Sequence, residues 1–303
     1  MSNSIKKIIV LLIALCISTF AFAQDEFMMS EQLFSRINKN PAGMGNSLDV
    51  DVFIVHRQQW VGFGEGRPMT TMLNAHSYFE KAHSGVGMTF YHEMVGLGNQ
   101  NVNFRLAYAY NIDLWDKGLL SLGASGGIFY KNFDINKHHI VDDMDDDLIS
   151  EKNSKVNPDF DFGFEFVTPY VLVGASINHL GLLKEPQSLT PVQSYNAYVR
   201  GNILIGESDF KLNPAFLYMN ASRFHIFEAN LTAFYQNKYW LGLGYRHTSP
   251  NSTMMFIAGL EWKFFRIGYS YELPVGKLGN VSHQTHEILL SFKIPTKRVN
   301  GEW

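Results

Sequence analysis

The chain has 303 residues with a formal charge of −3, and its 46% hydrophobic against 17% charged content excludes a disordered polymer. One cysteine excludes a disulfide-stapled fold, and the small negative charge leaves no basic stripe for a nucleic acid. The unusual part is the load of 24 Phe, 14 Tyr and 5 Trp beside 25 Gly.

Lys6 and Lys7 precede an almost wholly apolar run from Ile8 to Phe22, and Ala21 and Ala23 stand at −3 and −1 of a cut before Gln24. The pattern predicts a secretory signal peptide over 1–23, and the run is short for a membrane span. Cys16 follows Leu15 inside that run, where lipidation would need a small residue, so the exported 280 residues are expected to hold no cysteine. Their charge becomes −5 once Lys6 and Lys7 leave.

Beyond the leader the periodicity is two. From Asn101 to Ile112 the odd positions are polar or small (Asn101, Asn103, Arg105, Ala107, Ala109, Asn111) and the even ones apolar (Val102, Phe104, Leu106, Tyr108, Tyr110, Ile112). Runs of this kind predict 14 strands over 49–60, 68–80, 84–95, 100–113, 118–132, 157–168, 170–179, 193–205, 208–218, 224–235, 238–246, 252–260, 263–271 and 283–294. Most are longer than an average soluble strand and close to the length that crosses a bilayer at a tilt. Links after even-numbered strands are tiny, whereas those after odd-numbered strands include 61–67, 133–156, 180–192 and 272–282. Short turns at one end and long loops at the other fit an outer-membrane antiparallel β-barrel of about 14 strands with both termini periplasmic. A soluble two-sheet sandwich shares the alternation but would turn its apolar faces inward.

This reading divides the chain into the signal peptide 1–23, an N-terminal periplasmic or lumen segment 24–48, and the transmembrane barrel 49–303. Aromatic residues near strand ends, Trp60, Trp115, Tyr170, Tyr239, Trp240 and Trp262 among them, are candidates for interfacial girdles. The lumen face combines Gly85, Gly87, Gly123 and Gly244 with Arg57, Gln59, Glu93, Arg105, Glu228, Arg246, Arg266 and Glu287, since a charge facing lipid is costly.

Chemical sites are sparse. Asp142, Asp143, Asp145, Asp146 and Asp147 cluster in the longest loop, where seven acids and three lysines over 133–156 leave −4. Counted as an EF-hand from Asp143, the sixth and twelfth positions hold Leu148 and Ser154, so that motif fails and a solvated, partner-docking loop is expected. His138-His139 and the His283, His286 pair lack metal-ligand context. His247-Thr248-Ser249 runs into Pro250-Asn251, a turn rather than a rigid base–nucleophile pair. No enzyme activity, cofactor or metal is expected.

Several motifs lie in order and spacing along the exported chain: Asn40-Pro41-Ala42 with Gly45 just after, Arg57-Gln58-Gln59-Trp60-Val61-Gly62, Pro68-Met69-Thr70, Gly85-Val86-Gly87, and His286-Glu287-Ile288. Together they resemble the PorP/SprF family of Bacteroidota outer-membrane proteins of the type IX secretion system. Leu33 after Gln32, and Gly43-Met44, stand where the family usually has aromatics, which leaves the PorP-like and SprF-like subfamilies open. The resemblance implies a non-enzymatic barrel tied to protein secretion, the cell surface and gliding motility. It also implies association with a periplasmic, peptidoglycan-binding OmpA-like lipoprotein and with type IX core components. SprF-like members support export or attachment of large adhesins through the cargo's C-terminal domain. The alternative function is a passive or substrate-specific channel. Physically, Asn40-Pro41 reads as a rigid turn that aims the first strand, with Arg57 and Gln59 inside the lumen and Trp60 on the outer girdle.

Overall fold

The computed structural model describes residues 28–30, 34–45, 49–62, 64–115, 117–134, 153–181, 190–221, 224–248, 251–275 and 284–295. Its strands are β1 (Val50–Gln58), β2 (Met69–Phe79), β3 (Ser84–Val95), β4 (Asn99–Leu114), β5 (Gly118–Phe133), β6 (Asn153–Val167), β7 (Val171–Asn178), β8 (Ser194–Gly201), β9 (Ile203–Leu204), β10 (Phe210–Ala221), β11 (Phe224–Tyr235), β12 (Tyr239–Thr248), β13 (Asn251–Trp262), β14 (Phe265–Val275) and β15 (Thr285–Ile294). Neighbours along the chain pair antiparallel, and β15 pairs back on β1 from Val50↔Ile294 to Gln58↔His286, so no sheet edge remains between first and last. β8 and β9 hold one register on β10, Arg200 opposite Ala215 and Ile203 opposite Leu212. They are therefore one strand, and the closed barrel has 14, as the alternation predicts.

The break within that strand departs from the uninterrupted 193–205 run. At the gap the partner strand carries Pro214, which has no N–H for the ladder. A Cβ at Gly201 would also lie 3.1 Å from the Pro214 ring. Links 59–68, 134–152, 179–193 and 276–284 all leave one mouth, and at the other mouth no link exceeds 205–209. β1 begins and β15 ends at the short-turn mouth.

Side-chain polarity is inverted relative to a water-soluble domain. On β4, Asn101, Asn103, Arg105 and Asn111 are buried inside, while Leu106 is 59% and Tyr108 50% exposed outside. A sandwich would reverse this, so its alternation is excluded by burial, and the outer apolar surface suits hydrocarbon. Trp115, Tyr170, Tyr239 and Trp262 stand exposed at the short-turn end, and Trp60 at the other. Trp240 does not join them. It is 2% exposed and turns inward, because Tyr239 takes the outward position and Gly259 leaves room for the indole, whose ring atom would lie 2.1 Å from a Cβ there.

Leu106→Arg puts a charge in the middle of the lipid face and is expected to cost about 2–4 kcal/mol, read from urea titration of the heat-modifiable folded band. Leu106→Phe is expected to leave the midpoint nearly unchanged.

Candidate functional site

The lumen is occupied by the chain's own N-terminal residues. Met29 packs with Phe53, Val55, Met72, Tyr91, Phe129 and Leu289 in the long-loop half of the barrel, and the segment then runs to Gly45 near the start of β1. Two short 3₁₀ turns, Arg36–Asn38 and Pro41–Gly43, shape it. Asn40 caps the second: its Oδ1 accepts the Ala42 N–H at 2.9 Å, and Pro41 sits at the first turn position, where no N–H is needed. Its Nδ2 donates to the Phe164 carbonyl at 2.8 Å and to the Tyr198 hydroxyl at 3.0 Å, clipping the turn to the wall.

Three strands meet this turn with glycines. A Cβ at Gly85 would lie 2.2 Å from the Met44 carbonyl oxygen, one at Gly123 2.2 Å from the Ala42 nitrogen, and one at Gly163 2.2 Å from Asn40 Oδ1. A Cβ at Gly87 would lie 2.6 Å from Met44 Sδ. Gly45 has φ +77° and faces Gly85 backbone to backbone. The Asn40-Pro41-Ala42 turn thus seats on Gly123 and Gly163 and the Met44-Gly45 after it on Gly85 and Gly87, with main chain directly on main chain at Gly85 and Gly123.

Charged groups tie the segment down. In the long-loop half, Arg57 Nη1 and Nη2 donate to Glu272 at 2.9 and 2.7 Å, and Nη1 also to Glu287 at 3.2 Å. Arg246 donates to Glu228 at 2.8 Å, to Glu272 at 3.0 Å and to the Met29 carbonyl at 2.6 Å. The Ser30 N–H bonds both Glu287 oxygens, and its hydroxyl donates to Glu272 at 2.6 Å. Arg57, Arg246, Glu272 and Glu287, all buried, share the inserted Met29-Ser30 as common partner, and the buried Glu228 joins them through Arg246. On the opposite wall Arg36 forms a two-point pair with Glu165 at 3.0 and 3.1 Å, and Tyr198 donates to the same carboxylate at 2.6 Å.

A third cluster, Asp159, Asp161 and His179, brings its ligand-type atoms within 4.8 Å of one another. Protein donors already meet the carboxylates. His179 Nδ1 is 2.9 Å from Asp159 Oδ1, Asn103 donates to Asp159 Oδ2 at 2.6 Å, and the His179 N–H and the Ser125 hydroxyl donate to Asp161 at 3.0 and 2.7 Å. Arg105 donates to Asp161 and thereby supplies the positive charge a metal would bring. The chemistry is that of a satisfied ion-pair network.

The remaining sequence candidates lie apart from these contacts. Thr70 is buried with Oγ1 3.5 Å from Glu93, and Gln59, half-buried, donates its N–H to the Pro68 carbonyl at 2.9 Å. Trp60 and Gly62 carry positive φ in the turn after β1. His286, next to Glu287 but on the outer face, has Nδ1 2.6 Å from the Tyr269 hydroxyl. His247 meets Ser252 at 2.9 Å, while Ser249 lies outside the described residues. So do Asp142, Asp143, Asp145, Asp146, Asp147, His138, His139 and His283. Sequence reasoning missed Glu272, which follows Gly268 and Ser270 on the inward parity of β14 and needed only an extension of the predicted strand by one residue. It missed Ser30, Arg36 and Glu165 too; Glu165 has the inward parity of β6, but an inserted, non-periodic segment offers no such signal for Ser30 and Arg36.

Arg57→Ala leaves Glu272 and Glu287 short of a buried cation and is expected to cost about 3–5 kcal/mol in the same urea titration. The full-length protein is expected to pass little steady current in planar bilayers, and a deletion of 28–45 to open a stable conductance.

Solved barrels share this architecture. The CymD monoaromatic hydrocarbon channel aligns with a TM-score of 0.56 at 12% identity, covering 92% of this chain and 96% of its own. The Ralstonia pickettii toluene transporter TbuX gives 0.52 at 9% identity over 85% of this chain and 92% of its own. Acinetobacter baumannii Omp33 gives 0.51 at 8% identity over 82% and 99%. At these identities the likeness is one of fold, that of an outer-membrane β-barrel. No curated protein matches the sequence. The family model described as type IX secretion system membrane protein PorP/SprF matches residues 21–292.

Proposed function

The chain belongs to the PorP/SprF family of type IX secretion system membrane proteins, and from that membership we propose that it anchors, presents or helps export a particular surface cargo. The cargo is a large adhesin held through its C-terminal domain. The observation that carries the reading is the lumen: a barrel whose interior is bonded to its own segment has its ends left for work. The family and the structural neighbours are secretion components and channels, not enzymes. On this reading the short-turn mouth, with the start of β1 and the end of β15, faces the periplasm, where a peptidoglycan-binding OmpA-like lipoprotein and type IX core components would meet it. The long loops face outward, and the 134–152 loop, with seven acids and two lysines a net −5, steers a cargo domain through a polar rim. Exposed charges are screened beyond about 8–10 Å at physiological salt, so this loop sets encounter rate more than final affinity.

A channel is the second reading, and the neighbours that transport monoaromatics favour it. The lumen-filling segment opposes it.

Deleting the gene is expected to strip one or a few adhesins from the cell surface while other type IX cargo still appears, measured by surface proteomics. Neutralising Asp142, Asp143, Asp145, Asp146 and Asp147 is expected to slow capture without abolishing it. Epitope tags in 133–156 should be labelled on intact cells and tags after Trp303 should not. A deletion strain with an intact surface proteome that has lost uptake of a small nutrient would replace the cargo reading with the channel one.

A further inference from the structure

At the short-turn mouth the inserted segment stops short of filling the barrel. Among the described residues a cavity of about 340 Å³ remains between Phe34–Ile37 of the segment and the ends of β1, β8, β10, β14 and β15. Its wall is strongly cationic. Arg36, Arg200, Lys211, Arg266 and Lys293 line it against the single carboxylate of Asp51, with His76 beside them. Glu165, paired with Arg36, and Glu261, which accepts from Arg266 at 2.7 Å and Lys293 at 2.9 Å, stand behind the wall. Counting both, five cations face three carboxylates among the described residues.

Two further features narrow the ligand. Asn202 and Asn213 line the cavity, and the Oδ1 atoms of both are buried with no hydrogen-bond donor among the described residues. The Asn202 orientation is fixed by its Nδ2, which donates to the Pro169 carbonyl at 3.1 Å. Bare acceptors ask for N–H or O–H donors, which a fully deprotonated oxyanion such as sulfate does not supply. The rings are the other feature. The Lys211 ammonium lies 4.7 Å from the centroid of Phe234 and the Arg266 guanidinium 5.1 Å from that of Phe34, so cations and apolar faces alternate along one wall.

We propose that this cavity is a binding site for the carboxylate end of a peptide chain. The cations receive the carboxylate, the Asn202 and Asn213 oxygens receive N–H donors of the adjoining backbone, and Phe34 and Phe234 flank an apolar side chain. The volume suits one or two residues. The occupant is the free end of a partner protein that reaches the short-turn mouth, and the proposal stands whether or not the barrel carries an adhesin.

The test uses the purified full-length protein in detergent. The probe is a labelled pentapeptide ending in phenylalanine and glutamate with a free C-terminus, compared with the same peptide ending in glutamine amide. Fluorescence anisotropy should show the free acid bound at least about tenfold more tightly than the amide, with affinity falling as salt rises. Lys211→Gln combined with Lys293→Gln keeps the Arg266–Glu261 and Arg36–Glu165 pairs and should lower affinity about tenfold while the heat-modifiable band shows the barrel folded. Asn213→Leu, in the same folded background, should weaken the free-acid peptide several-fold. Equal affinity for acid and amide, no binding to the wild-type protein, or unchanged affinity in the lysine variant overturns the proposal. Displacement of the peptide by inorganic phosphate at a lower concentration than by free peptide overturns it in favour of a phosphate site, and displacement only by phosphatidylglycerol vesicles in favour of a lipid one.

Discussion

Hydrocarbon offers no hydrogen bonds, and that constraint sorts every side chain of this barrel. Once Leu106, Tyr108 and their outward neighbours face lipid, the alternate positions must hold whatever polar groups the strands carry. The interior therefore receives Arg57, Arg246, Glu228, Glu272 and Glu287, none of which is stable there alone. Wall residues pair with one another, but the wall brings three carboxylates to two guanidinium groups. Ser30 supplies the missing donors with its N–H and hydroxyl, and the Met29 carbonyl takes up a guanidinium hydrogen. Apolar outside thus demands polar inside, and polar inside demands a filling that can hydrogen-bond.

The second half of the filling works by shape. Where the segment turns at Asn40-Pro41, the strands present hydrogen atoms instead of side chains at Gly85, Gly123 and Gly163. The close approach lets Asn40 reach a wall carbonyl and the Tyr198 hydroxyl, bonds that a methyl group at Gly163 would push out of range. The Asn40-Pro41-Ala42 turn seats on Gly123 and Gly163, and the Met44-Gly45 that follow it seat on the Gly85-Val86-Gly87 motif, so motifs far apart in sequence meet along one inserted segment. Position in the sequence carries this relation poorly, because a backbone-to-glycine contact has no periodicity on the segment's side.

Legibility followed the periodicity. The run Asn101–Ile112 alternates cleanly, and its strand, pairing and polarity were readable because lipid leaves no other arrangement. The 193–205 strand was readable as an element but not as broken, since the cause, Pro214, lies on its neighbour. Trp240 misled for a different reason: an indole at a strand end usually marks an interface, and only the parity set by Tyr239, with the gap at Gly259, sends it inward. Asp159, Phe160, Asp161 and Phe162 alternate as strictly as any residues in the chain, so an inward acidic pair was there to be read. Its partner Arg105 and the ring of His179 come from other strands and loops, and no local pattern announces them.

A barrel filled in this way keeps its two ends separate. Strands of 8 to 16 residues hold the two mouths a bilayer apart, and the interior between them is committed to internal bonds. The mouths carry opposite charge. The link 134–152, with seven acids and two lysines, leaves one mouth, whereas Arg200, Lys211, Arg266 and Lys293 gather at the other. Because a bilayer's thickness far exceeds the screening length, neither cluster neutralises the other, and each acts on its own compartment. The same inserted residues touch both ends, through Ser30 in the ion cluster of the long-loop half and Phe34 to Ile37 in the cavity wall. In this barrel the lipid face fixes the position and the inserted segment, bonded to the wall at both ends, fixes the shape of the interior.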